Sequence, residues 1–199
     1  MEKQITENVV IPALEKCVYT SCYCEENVWH LCDFVRRNNP ADLSNCWVVF
    51  ISNKNQTIPL WEQKASRDET GLVIWDYHVI FVVQKNAGKS LVYDLDSRLN
   101  FPCDFDEYVA KTIQSDDNIF PQFHRFFRVV PADVFLRHFA SDRRHMRNPD
   151  GTWMKMPPVY PPISANNVQH NLNEFLDMNE GASSFGEVLA TIGFVQKFS

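Results

Sequence analysis

The chain reads as an α+β domain, and three observations carry that reading. A helical stripe comes first in the sequence, at Val28, Leu31, Cys32 and Val35, on the i, i+3, i+4, i+7 spacing of one buried helix face. Apolar runs of strand length follow it, at 46–52, 73–83 and 90–95. The last two runs are joined by a short Asn/Gly-containing connection, 84–89, which is a hairpin signal. A helix, then hairpin-connected strands, then further helices gives an antiparallel sheet flanked by helices.

The first helix is expected from Glu25 to about Arg37, where Asn38-Asn39-Pro40 ends it. Strands are expected at 46–52 and, more briefly, at 57–61, with a polar loop over 64–71. The run 73–83 reads as one long buried strand. A helix is expected at 105–114, a strand at 126–130, and a helix at 131–140 with Pro131 in its first turn. Pro157-Pro158-Val159-Tyr160-Pro161-Pro162 is an extended connector. The stretches 171–178 and 185–191 read as short helices.

Composition narrows the class. A chain of 199 residues with 45% apolar and 22% charged content suits one globular domain, 1–199, with the first sixteen residues peripheral. A net charge of −6 and a pI near 5.5 disfavour a general nucleic-acid binder, despite the arginines between 124 and 147. The acidic start, Met1 to Asn8, is no secretory signal, and no apolar run reaches membrane-span length. These features predict a cytosolic or nuclear protein that binds no membrane. Its six cysteines are then expected as free thiols. Cys22 and Cys24 with scattered histidines do not have zinc-site spacing. Gly88-Lys89-Ser90 lacks the first glycine of a phosphate loop and no helix follows it.

Three residues combine into chemistry. Cys24 immediately precedes the first helix, four residues before Val28, and so shares its buried face. A helix N-terminus favours thiolate over thiol, and its free amides can hold an oxyanion. His78 stands in an otherwise apolar strand. A turn centred on Asn86 would set His78 directly opposite Asp94, and Ile80 opposite Val92. An imidazole fixed by a carboxylate within reach of a thiol is the constellation of nucleophilic acyl transfer. The same register would set Asp76 opposite Asp96; these two carboxylates, or Glu25, could attract a substrate ammonium near the thiol. Strand alternation puts Trp75 and Tyr77 on the face away from His78, as packing residues.

These residues also carry a family resemblance. Trp75-Asp76-Tyr77-His78-Val79 is the signature string of the protein N-terminal glutamine amidohydrolases. Ser21 to Asn27, Tyr93 to Asp96, Phe101-Pro102-Cys103 and Phe139 to Arg143 resemble further segments of that family, in order, over about 17–177. The resemblance implies a papain-like or transglutaminase-like fold acting as a monomer. It implies conversion of an N-terminal glutamine to glutamate with release of ammonia, on polypeptide substrates that feed the N-degron pathway. It carries the catalytic roles onto Cys24, His78 and Asp94 and requires no metal or cofactor. The alternatives are a cysteine protease or transglutaminase-like acyl transferase, and a non-catalytic module that binds peptide N-termini.

Overall fold

A computed structural model describes residues 11–85, 88–179 and 185–199. Helix α1 spans Cys24–Asn38 and carries acids in its first turn and arginines in its last, matching the helix dipole at both ends. It starts one residue earlier than the sequence pattern suggests. Strand β1 (Cys46–Ser52) is followed by β2 (Ile58–Leu60) and β3 (Val73–Trp75), which pair with each other in a small separate sheet. Next come β4 (His78–Gln84), β5 (Ser90–Tyr93), β6 (Cys103–Asp104) and the short helix α2 (Phe105–Tyr108). Helix α2 continues as a single π-helical turn, Val109–Ile113. The chain closes with β7 (Phe126–Pro131), α3 (Ala132–His138), α4 (Leu172–Leu176), β8 (Glu187–Ala190) and α5 (Thr191–Phe198).

Six strands form the main sheet in the order β6-β5-β4-β1-β7-β8, antiparallel throughout. The antiparallel α+β expectation holds. Strands β1 and β4 lie at the centre, so both of their faces are covered and their interiors, Trp47 to Ile51 and Val79 to Val83, are continuously apolar. On one face, Val48, Phe50, Val79 and Phe81 pack with Val28, Leu31 and Val35 of α1 and with Phe135 and Phe175. On the other, Val49, Ile51, Ile80 and Val82 pack with Phe105, Tyr108, Phe194 and Phe198.

Three expectations change. The segment 185–191 is not a helix: β8 extends the sheet beside β7, and the helix follows at α5. Gly186 makes that edge possible, since a Cβ there would lie 2.1 Å from the Val129 carbonyl oxygen. The run 73–83 is two strands in two sheets, separated at Asp76-Tyr77. The β4–β5 register pairs Phe81 with Tyr93 and Val82 with Val92, two residues away from the expected alignment. A shift of two keeps every side chain on its face, so Asp94 still shares the face of His78 but meets it diagonally rather than head-on. The expected turn centre, Asn86, lies outside the described residues.

Candidate active site

The site forms where α1 begins and β4 begins. At the interruption of the 73–83 run, the Ser52 hydroxyl donates to the Asp76 carbonyl (2.7 Å) and the Tyr77 N–H donates to the Asp76 carboxylate (2.8 Å). This bend cancels simple strand alternation. Trp75 therefore does not point away from His78: the two rings stack with centroids 5.2 Å apart and planes 19° from parallel. Tyr77 keeps the expected face, away from His78 and among Cys24, Val79 and Phe81, and its hydroxyl lies 3.1 Å from Glu25 Oε2.

His78 is completely buried, and its Nε2 lies 2.9 Å from Asp94 Oδ1. The Tyr108 hydroxyl donates to Asp94 Oδ2 (2.8 Å), and the Asp96 amide donates to Oδ1 (2.9 Å). Burial alone would raise the Asp94 carboxyl; the His78 charge and these donors overcome it and hold the group below its ordinary value. Burial alone would lower the His78 imidazolium, and the Asp94 carboxylate reverses that to a net rise. The other ring nitrogen, Nδ1, is buried without a hydrogen-bond partner among the described residues.

Cys24, 8% exposed, lines a cavity of about 410 Å³ together with Cys22, Gln56, Trp75, Asp76, Tyr77, Asp96, His145 and Lys155. Its sulfur lies 3.7 Å from Glu25 Oε2. Burial, then the Glu25 and Asp96 carboxylates, push the thiol well above its ordinary pKa, against the pull of the Val79 amide. The helix terminus, which contributes only a fraction of a charge toward the thiolate, is opposed first by burial and then by these acids.

The structure gathers the predicted substrate-binding residues unevenly. Glu25 is fully buried, with Oε1 3.4 Å from His145 Nε2 and no hydrogen-bond partner for that oxygen among the described residues. Asp96 accepts from the Tyr19 hydroxyl (2.6 Å), and burial raises its carboxyl. Asp76 is exposed on the cavity rim. Asp76 and Asp96 both line the cavity, but Asp76 lies outside the strand pairing, so the expected head-on carboxylate pair does not form. His78, Asp94 and Asp96 bring donor atoms within 4.8 Å of one another, a set that could meet a cation. Here Asp94 is engaged by His78 and Tyr108, and Asp96 by Tyr19, which fits a hydrogen-bonded arrangement better.

Sequence reasoning missed a second buried pair behind the cavity. Arg143 grips both oxygens of Glu26 (2.9 and 2.8 Å) and donates to the carbonyls of Pro158 and Pro161. It thereby ties the first turn of α1 to the proline-rich connector. The adjacent acid–basic string Asp142-Arg143 gave no sign of its partner, which lies more than a hundred residues earlier.

All six cysteines are free thiols. No helix among the described residues is long and apolar enough to cross a membrane. The family described as N-terminal glutamine amidase matches residues 19–198. A protein N-terminal glutamine amidohydrolase of Drosophila melanogaster is 50% identical over 194 residues, covering 98% of this chain and 94% of that protein. Its namesake in Drosophila mojavensis is 51% identical over 189 residues, covering 95% and 92%. With nearly the whole length matched at this identity, the chain belongs to the N-terminal glutamine amidase family, a family of amidohydrolase enzymes.

Proposed function

We propose that this protein hydrolyses the side-chain amide of an N-terminal glutamine, giving glutamate and ammonia, with Cys24 as nucleophile, His78 as general acid–base and Asp94 as the carboxylate that orients the ring. The observation that carries this reading is the buried His78–Asp94 pair with its second ring nitrogen unpartnered, beside a cavity that Cys24 lines. The shared name of the relatives supplies the substrate class.

The raised thiol and raised imidazole suit proton transfer at the moment of attack. The Cys24 proton passes to His78 as sulfur bonds to the amide carbon. The imidazolium then protonates the departing nitrogen, ammonia leaves, and a thioester remains. Neutral His78 takes a proton from water, which attacks the thioester; the acid is released and the thiol restored. Asp94 fixes the tautomer throughout. The first-turn amide of Cys24, which has no intrahelical acceptor, is an oxyanion donor.

Glu25, with Asp76 and Asp96, supplies the negative field for the substrate α-ammonium. The buried Glu25 Oε1, which accepts no hydrogen bond among the described residues and has His145 Nε2 3.4 Å away, is the strongest support for that role. An antiparallel sheet with a cysteine at the first turn of α1 supports a papain-like or transglutaminase-like relationship. We take the protein as a single catalytic domain that acts as a monomer in the cytosol or nucleus, upstream of arginylation.

A Gln-initiated peptide should gain the mass of an amide-to-acid conversion and release ammonia without backbone cleavage, and an internal-Gln control should stay unchanged. Cleavage of the peptide, or incorporation of an added amine, would instead indicate a protease or transglutaminase. Binding that survives Cys24→Ala without any turnover in the wild type would indicate a binding module.

A further inference from the structure

Besides His78 and Asp94, a second imidazole and carboxylate meet at the cavity. His145 lines the cavity that Cys24 lines, and its Nε2 lies 3.4 Å from Glu25 Oε1 and 3.5 Å from the Tyr77 hydroxyl. The other Glu25 oxygen, Oε2, lies 3.7 Å from the Cys24 sulfur and accepts from Tyr77 at 3.1 Å. One fully buried carboxylate thus stands between thiol and ring, with an oxygen toward each. The short turn that carries His145, Arg144–Met146, follows Arg143, which grips Glu26 on the same first turn of α1 that carries Glu25. The His145 ring stacks on His170, with centroids 5.7 Å apart and planes 29° from parallel. His170 Nδ1 lies 3.4 Å from Asp142, which also pairs with Arg144. Burial, against the pull of Asp142, holds the His170 imidazolium below its ordinary value, so that ring is neutral at neutral pH. Asp76, Asp96 and Lys155 are the other charged residues that line the cavity.

Charge decides what this chain of contacts does. A carboxylate beside a thiol opposes loss of its proton, and a cation beside that carboxylate relieves the opposition. Histidine is the side chain that gains or loses its charge between about pH 5 and 8, and an imidazolium donates from both nitrogens. We infer that His145 is a positioning residue that, when protonated, engages Glu25 Oε1 and draws the carboxylate charge away from the Cys24 sulfur; this rests on the thiol mechanism above. When the ring loses its proton, the charge on Oε2 again faces the thiol and holds it protonated. His145 thereby acts on the nucleophile through Glu25.

Alkylation of Cys24 by iodoacetamide, followed by peptide mass spectrometry, reads the thiolate directly. His145→Gln keeps a hydrogen-bond donor and carries no charge at any pH. At about pH 6 it should alkylate about tenfold more slowly than the wild type, the equivalent of one pKa unit at the thiol. The two rates should converge as pH rises through the histidine range, because the wild-type ring is then neutral as well. In a Glu25→Gln background, adding His145→Gln should change the rate by less than about twofold, since the carboxylate that links ring to sulfur is gone. Glu25→Gln alone decides the matter if His145→Gln does not fold: it should accelerate alkylation little at about pH 6 and increasingly above it. A slowing by His145→Gln that is the same at every pH would overturn the inference, as would no slowing at acid pH. So would a slowing that persists in the Glu25→Gln background, which marks a packing role, or an acceleration by Glu25→Gln that does not grow with pH. If the wild type releases no ammonia from a Gln-initiated peptide, or Cys24→Ala still releases it, the thiol mechanism itself fails, a result read from ammonia and separate from the alkylation rates.

Discussion

Tyr108, on a helix that packs against the sheet face of Ile80 and Val82, donates its hydroxyl to Asp94 at 2.8 Å, on the carboxylate oxygen that His78 leaves free. Both groups are buried, so this is a charge-assisted bond shielded from water. Tyr108→Phe should cost about 1.5–3 kcal/mol of folding stability at neutral pH. The Asp94 pKa is depressed in the folded state, so its contribution is present above the unfolded carboxyl value and fades as pH falls through the folded one. Removing the donor raises the folded value, and acid unfolding should begin at a higher pH. Urea denaturation at stepped pH measures both effects; an unchanged acid midpoint would discount the bond.

The Asp94 charge also sets the working range of His78. With the carboxylate present, the imidazolium persists above its ordinary pKa of 6.5. In Asp94→Asn burial, the largest influence, pushes it down against only the smaller pull of the Asp96 carboxylate. The acid limb of kcat/KM should then move from above to below the ordinary histidine value, while the plateau drops about 10²- to 10⁴-fold through loss of the oriented base. A limb that stays in place would show that another group titrates there.

The two cysteines beside the cavity should separate cleanly. Cys24→Ala should abolish turnover, because no other thiol sits at the first turn of α1. Cys22 lies just outside the helix, in a left-handed conformation (φ 68°), and lines the same cavity. Cys22→Ala should retain most of the activity, as measured by ammonia release. The reverse pattern would move the nucleophile two residues upstream.

What could be read from the sequence follows the range of the interactions. Cys24 was legible because a helix stripe is local, and His78 because an imidazole in an apolar strand is conspicuous. Asp94 survived a register misjudged by two residues, since an even shift preserves the face. Trp75 escapes strand alternation because one bend, fixed by a hydroxyl from β1, leaves its ring stacked on His78, whereas Tyr77 keeps the expected face with Val79 and Phe81. His145 was invisible: it reaches Glu25 from a long loop with no periodicity to place it. The β8 segment reads as a helix in the sequence because Val188 and Leu189 are apolar in either period, and only pairing with the edge of β7 decides for a strand.

Glu26 and Arg143 test how the cavity wall is held. Both side chains are almost wholly buried. Arg143→Met should destabilise the fold by about 3–5 kcal/mol, because the Glu26 carboxylate is left buried and unpaired. Adding Glu26→Gln should recover a substantial part of that loss, since the uncompensated charge is then gone. Denaturant titration of the single and double variants supplies the coupling energy. Additive losses would mean that the two side chains act independently.

Glu25 makes the sharpest demand, because it should act on substrate and nucleophile in opposite directions. Its Oε2 lies 3.7 Å from the Cys24 sulfur, and its charge helps hold that thiol protonated. Glu25→Gln removes the charge while keeping the shape, so the Cys24 pKa should fall and iodoacetamide labelling at neutral pH should accelerate. The same change removes the partner proposed for the substrate α-ammonium. KM for a Gln-initiated peptide should rise about 10- to 100-fold, the worth of one charge-assisted hydrogen bond. An α-N-acetylated peptide has no ammonium to lose, so its already poor turnover should not worsen. Faster labelling with weaker substrate binding cannot arise from general damage to the site, which would slow both. An unchanged KM would move ammonium recognition to Asp76 or Asp96, which line the same cavity.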